Sequence, residues 1–387
     1  MLCPAEAEAC TSIVVSGKAT ASGRPLLLKV RDNDISKSNT NIQYFKGDRF
    51  DFISSVANTT EHHDNMNASF GGYNSAGLCM ASLTSHGFPL EKAKNRCGGG
   101  ELLHKALGNC RNLGEFEALA RRIMEERPIV TNIGAIDAEG AAACYEFGGH
   151  TFKKYDVNDP ACAPEGYRAI ANFAFSGDMS KGTGKERYDS AMESLAATGK
   201  NADGKYDIDH TDILENVVRS FRHPLRGVEK LEDIKDEYYS HQGFIVRFTT
   251  NSAYIFEGVR PGEDPKHTVM WVNLGNPCCA PSLPLVLGNR NLIPECIWEG
   301  DCISSDVCHR AMHLRNKFIF DKPDMMNVRN ISLLMKQMRR IEAPIRRDFV
   351  RLHDSWVAGR ITDNEFYSAY TEQGKRWFKQ YVNGTPE

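Results

Sequence analysis

The sequence predicts an α+β layered domain with a helical C-terminal extension. Three observations carry that class. Runs of β-branched and apolar residues, broken by Gly, Asn and Asp turns, fill residues 11–85 and return past residue 129. Between them, residues 100–126 switch to apolar spacings of three and four. Past Pro323 the chain becomes helix-rich and dense in Arg and Lys, so strands, helices, strands and helices follow one another as layers.

Taken in order, residues 11–15 are β-branched and apolar, 16–23 turn-rich and 25–30 apolar again. They read as a hairpin that carries Arg31, Asp32, Asn33 and Asp34 back toward Cys10. Residues 42–56 suggest further strands, and the turn at 71–77 before the run at 78–83 suggests another hairpin. Leu102, Leu103, Ala106 and Leu107, then Phe116, Leu119, Ala120 and Ile123, give two amphipathic helices split near Asn112-Leu113-Gly114. Strands are expected at 129–136 and 141–147 around the turn Asp137-Ala138-Glu139-Gly140, and 168–175 is a short apolar run holding the amide Asn172. Helices near 185–197 and 211–222 and strands near 243–248, 252–258 and 268–273 follow. The C-terminal pattern gives helices at 331–345, 346–358 and 363–381, a cap or a homo-oligomerisation arm. Glu and Asp interleaved with its basic residues favour a solvated face over a surface for an anionic partner.

Bulk composition narrows the partners. The 387 residues are 41% hydrophobic and 25% charged, enough for a large core. Lys plus Arg number 47 against 50 for Asp plus Glu, a net charge of -3 that supplies no field for nucleic acid. No run approaches the ~18 apolar residues of a membrane span, so a small-molecule partner is expected. The leader MLCPAEAEA holds two small-x-small patterns, Ala5-Glu6-Ala7 and Ala7-Glu8-Ala9, which favour removal of residues 1–9 and export to the periplasm or exterior, with a cytoplasmic location left open. Twelve cysteines without a CxxC pair leave the redox compartment open as well.

Chemistry concentrates at Cys10. A cysteine that begins a chain has a free α-amine, of ordinary pKa about 7.7–8.0, to accept the proton of its own thiol, of pKa about 8.5. A peptide nitrogen cannot do this, so the bond between Ala9 and Cys10 must be cut. Arg31 and Asp34, at the end of the returning strand, are candidates to favour the thiolate and to accept a hydrogen bond from the amine. Other constellations are weaker. Cys278-Cys279, Cys296, Cys302 and Cys308-His309 fit no zinc spacing, and His62-His63-Asp64 reads as a loop; no metal or cofactor is expected. His86 is a candidate for lining a cleft. Gly98 to Gly100 lack the Lys-Ser/Thr of a phosphate loop.

The chain resembles the N-terminal-nucleophile linear amide hydrolases, the choloylglycine hydrolase and penicillin V acylase family, and more closely the isopenicillin N acyltransferase-like autoproteolytic family. The resemblance rests on Cys10-Thr11 with Arg31-Asp32-Asn33-Asp34, on Asn74-Ser75-Ala76-Gly77-Leu78 with Leu83-Thr84, on the run from Thr131 to Gly140, on Ala171-Asn172-Phe173, and on Lys185-Glu186-Arg187-Tyr188. It implies a four-layer αββα sandwich, with a catalytic domain over 10–320 and a helical extension over 321–387. It also implies Cys10 as nucleophile, Asn172 as oxyanion donor and Arg187 as a second arginine. Thr84 stands where bile-salt hydrolases have an asparagine, so its backbone N–H or hydroxyl would serve the oxyanion. The implied reaction is cleavage of a linear, non-peptide N-acyl amide through a Cys10 thioester, resolved by water or by an amine. A second class, a silent binding protein or a lipoprotein anchored through Cys10, differs at the N-terminus, where a lipidated Cys10 has neither amine nor thiol to use.

Overall fold

Two antiparallel sheets stacked on one another form the centre of the computed structural model, which describes residues 9–33, 40–57, 68–88, 96–298 and 305–387. The first sheet holds Thr11–Val15 (β1), Leu26–Asp32 (β2), Tyr167–Ile170 (β10), Thr250–Glu257 (β12), Val269–Leu274 (β13) and Leu283–Val286 (β14), in the order β10-β1-β2-β12-β13-β14. The second runs in chain order through Thr40–Phe45 (β3), Phe52–Ala57 (β4), Gly71–Asn74 (β5), Cys79–Leu83 (β6), Ile129–Ile136 (β7), Ala142–Gly149 (β8) and Phe152–Asp156 (β9). β1 and β2 are buried at every position, as strands covered on both sides must be. Where β1 crosses β7 the sheets approach closely: a Cβ on Gly134 would stand 3.1 Å from Ser12 Oγ and 2.9 Å from a Leu27 methyl.

Helices cover both outer faces. Gly99–Asn109 (α1) and Leu113–Glu126 (α2) lie on the second sheet, α2 capped by the Asn112 side chain accepting from the Glu115 N–H at 3.0 Å. Lys185–Ala197 (α3) lies on β1 and β10. The turn His210–Asp212 (α4) continues into a π-helical stretch, Ile213–Val218, and packs on β12, while Asp306–Leu314 (α5) packs on β13. Val328–Val357 (α6) and Asp363–Asn383 (α7) form an antiparallel pair on the same side. Phe349 of α6 meets Trp271 of β13 at 5.4 Å between ring centres, and the Tyr370 hydroxyl of α7 donates to the Pro284 carbonyl at 3.1 Å. The α+β sandwich with four layers, αββα, is therefore the architecture, and its C-terminal helices share the core of the first sheet. Among the described residues no helix is long and apolar enough to cross a membrane.

Several expectations need correction. The strand expected at 243–248 is a series of turns, because Arg247 is drawn inward to Asp32 and its backbone N–H bonds the Thr250 hydroxyl at 3.0 Å. The expected break at 345/346 is absent, since α6 runs through Pro344 with its apolar face continuous from Ile341 to Ile345 and Phe349. The helix expected at 211–222 ends at Val218, where Arg219 turns to bond the Pro277 carbonyl. β9, half exposed at the sheet edge, and β14 lacked a pattern long enough to read. A two-stranded pair, Tyr238–Ser240 (β11) with Met325–Asn327 (β15), was also unread.

The motif Asn74-Ser75-Ala76-Gly77 proves to be a structural turn. Asn74 Oδ1 accepts the N–H groups of Ala76 and Leu78 at 3.1 Å, and its Nδ2 donates to the Leu107 and Cys110 carbonyls at 2.8 and 2.7 Å. It fastens the β5–β6 turn to the end of α1. Asp137 plays the same part between β7 and β8, accepting from Leu113, Glu139 and Ala141 N–H groups.

Candidate active site

Register fixes what surrounds Cys10. The hairpin pairs Thr11 with Val30 and Ser12 with Lys29, so strand alternation puts Cys10, Ser12, Lys29 and Arg31 on the face turned to the second sheet. Thr11 and Asp32 point to the other face, under α3. Cys10 is 7% exposed and Ala9 2% exposed.

The Cys10 main chain is held from α3 and from the end of β10. Its N–H donates to Asn172 Oδ1 at 2.6 Å, and its carbonyl accepts from Arg187 Nη1 at 2.5 Å. Arg187 also donates to the Thr11 hydroxyl at 3.0 Å and to Asn172 Oδ1 at 3.1 Å. With Oδ1 taking two donors, the carboxamide is fixed, and Asn172 Nδ2 donates to the Thr84 carbonyl at 2.7 Å. Asn132 of β7 holds this corner, its Nδ2 reaching the Ala171 and Phe173 carbonyls at 2.9 and 2.8 Å. Gly184, before α3, has φ +84°, and a Cβ there would lie 2.1 Å from Arg187 Nη2, so only glycine leaves the guanidinium its place.

Two further charged groups complete the site. Lys29, fully buried, donates from Nζ to the Ser82 carbonyl of β6 and lies on the same face of the hairpin as Cys10. Burial holds its pKa below the ordinary lysine value, with Cys10 and Asp32 opposing that shift and Arg31 adding to it. Asp32 is buried in an ion pair with Arg247 at 2.8 Å and accepts from the Thr250 hydroxyl. Arg187 is lowered to about 10, first by burial and then by the charge of Arg247. Among the described residues the cations Lys29, Arg187 and Arg247 thus outnumber the carboxylate Asp32 around Cys10.

A cleft of about 490 Å³ opens beside this site, lined by Ala9, Gly184, Arg187, His223, Arg226 and Arg247 among others. Ala9, the residue joined to Cys10 N, is part of its lining.

Of the residues singled out in the sequence, the fold brings together Cys10, Thr84, Asn172 and Arg187. Thr84 enters through its carbonyl, bonded to Asn172, while its side chain is exposed. Arg31 lies 3.9 Å over the Phe70 ring and 3.4 Å from Asn251 Oδ1. Asp34, His62-His63-Asp64 and Cys302 lie outside the described residues. His86 donates its backbone N–H to the Asn172 carbonyl at 3.3 Å, which sets it at the rim. Cys278, Cys279, Cys296 and Cys308 are buried thiols, and among the described residues no cluster suits a metal ion. Lys29, Asp32, Asn132 and Arg247 were missed. The available signal was Lys29 itself, a lone charge inside the run Leu26 to Val30, since a lysine is seldom buried without a task.

Compared with solved structures, the chain is similar to penicillin V acylase from Agrobacterium tumefaciens at 14% identity, covering 72% of this chain and 86% of that one with a TM-score of 0.40. It is similar to conjugated bile acid hydrolase from Clostridium perfringens at 14% identity, over 68% and 89% of the two chains, with a TM-score of 0.40. Thermostable penicillin G acylase from Alcaligenes faecalis follows at 10% identity, over 54% and 52%, with a TM-score of 0.38. No protein-family model and no curated protein matches the chain.

Proposed function

We propose that this protein is a cysteine amidohydrolase of the N-terminal-nucleophile kind, acting on a linear, non-peptide N-acyl amide after the chain is cut before Cys10. The observation that carries the reading is the double hold on the Cys10 main chain, N–H to Asn172 and carbonyl to Arg187, with Lys29 at the thiol. Once the α-amine is free, its hydrogen bond to Asn172 Oδ1 aims the remaining lone pair toward its own sulfur. The positive surroundings, Lys29, Arg187 and Arg247 against Asp32, disfavour protonation of that amine, which suits it to act as a base near neutrality.

In this cycle the amine takes the thiol proton as sulfur adds to the substrate carbonyl. Asn172 Nδ2 supplies a donor to the developing oxyanion, and Arg187 keeps the carboxamide from turning. The amine hands its proton to the leaving group, and water then resolves the thioester; where a second amine reaches it first, the outcome is acyl transfer. The substrate acyl group takes the place of Ala9 in the cleft, where Lys185, Arg187, Arg226 and Arg247 against Glu186 favour an acyl group with a polar or anionic end.

The test is intact-mass analysis of the matured protein followed by turnover of an N-acyl amide panel. An unmodified Cys10 terminus that an electrophile labels, with loss of turnover in Cys10→Ala of at least about a thousandfold, is expected. Equal turnover by Cys10→Ala would sink the mechanism. A diacylglyceryl group on Cys10 would select the lipoprotein instead.

A further inference from the structure

While Ala9 remains attached, Cys10 N is a peptide nitrogen that donates to Asn172, so the base used in turnover does not yet exist. The thiol still needs a proton acceptor if the chain is to cut itself. Lys29 shares with Cys10 the face of the hairpin turned to the second sheet, and its place is set from three directions. The hairpin register seats it opposite Ser12, one residue from Cys10 on the same face; the Ser82 carbonyl of β6 takes one of its protons; and it is fully buried. A free amine so placed has its lone pair for the sulfur.

We propose that Lys29 is the general base of maturation, a residue that works on the uncut chain before the α-amine exists. This rests on the reading of Cys10 as the nucleophile. Nζ takes the thiol proton as Sγ adds to the Ala9 carbonyl carbon. The resulting ammonium gives that proton to Cys10 N as the C–N bond breaks, leaving Ala9 as a thioester on Sγ and Cys10 with a free α-amine. Water then hydrolyses the thioester, releasing the Ala9 carboxylate and restoring the thiol. The groups that act on Nζ are Cys10 of β1, the Ser82 carbonyl of β6, Arg31 on its own face of β2, and Asp32 through the strand from the opposite face. Burial, with Arg31 adding, keeps its amine form accessible at lower pH than for a lysine in water.

Full-length chain made by cell-free translation and followed by intact mass tests this. Wild type should lose residues 1–9. Lys29→Gln and Lys29→Arg should cut ~10²–10⁴-fold more slowly at pH 7. Their residual rates should rise more steeply with pH than the wild-type rate, as hydroxide takes the proton that Lys29 accepts in the wild type. Near-ultraviolet circular dichroism reports folding. Should both variants fail to fold, Lys29→Met, which fills the same buried space without a charge, decides: cutting ~10²–10⁴-fold slower than wild type supports Lys29, and cutting at the wild-type rate overturns it. Lys29 variants that fold and cut at the wild-type rate also overturn the assignment, leaving the nucleophile reading intact. Cutting of Cys10→Ala as fast as wild type overturns self-cleavage altogether. Only unchanged amide turnover in Cys10→Ala strikes the functional reading itself.

Discussion

Two of the buried cation sites among the described residues are built on opposite principles. Arg219 is closed between Glu342 and Glu215, with ion pairs of 2.7 and 2.8 Å, and its remaining donors reach the Pro277 and Ala280 carbonyls. Despite burial, those carboxylates hold its pKa above the ordinary arginine value. Lys29 and Arg187 are as deeply buried, but their direct partners are carbonyls, a hydroxyl and a carboxamide, and both have pKa values held low. A cation neutralised by carboxylates fastens α6 to the first sheet. Cations left without a carboxylate in contact keep a field directed at Cys10, which is the arrangement chemistry needs.

The largest effect that would break this contrast is at the fastened site. Glu342→Ala leaves Arg219 buried with one half-exposed partner and removes the acceptor of the Ser282 N–H, now bonded at 2.7 Å. A loss of about 3 kcal/mol in urea unfolding is expected, with turnover per folded molecule unchanged. A loss under about 0.5 kcal/mol would show that the two sites do not differ as argued.

Next comes the attempt to turn one kind of site into the other. Asn172→Ala removes the acceptor for Cys10 N and Arg187, and should slow amide turnover by hundreds-fold, ~3 kcal/mol of barrier. Asn172→Asp places a carboxylate against Arg187, imitating the Arg219 site. It should be at least as stable as the alanine variant in thermal unfolding and yet as slow, because the donor Nδ2 is gone. Recovery of turnover in the aspartate variant would mean that charge, rather than the amide donor, serves the reaction.

What the sequence disclosed of this site follows a physical division. Cys10, Asn172 and Arg187, which the fold brings together, were picked out by the short motifs that carry the family resemblance. Asp32 and Lys29 were not, because their roles depend on which face of β2 each residue takes. That parity is settled by pairing with β1 and with β12, more than 200 residues away in the sequence. Arg31 and Asp34 were read as partners of Cys10 from their position at the strand end; Arg31 shares the face of Cys10 and lies over Phe70, Asp34 is outside the described residues, and Asp32 was not singled out. The layered fold was more legible than the site, since periodicity is local and hairpins are short. It failed at 243–248, where an alternating apolar segment is bent into turns by a long-range ion pair from Arg247 to Asp32.

The smallest expected effect marks the outer limit of the contrast, a charged cluster that water can reach. Glu101 on α1 bonds Arg127 at 2.8 and 2.9 Å and Lys105 at 2.9 Å, and these bonds, Arg127 first, pull its pKa from 4.5 to about 2. Its folded pKa lies below its unfolded one, so between pH 4.5 and 2 the unfolded chain binds more protons and folding weakens as acid is added. Glu101 is about a third exposed, and solvent screening reduces the contribution to under about 1 kcal/mol. Glu101→Gln, which mimics the protonated acid, should therefore match wild type near pH 2, fall behind it as pH rises to 4.5, and stay lower by under about 1 kcal/mol above that, when unfolding by urea is followed across the range. A larger loss extending to neutral pH would mean that α1 depends on this cluster as α6 depends on Glu342, and burial would no longer separate the two kinds of ion pair.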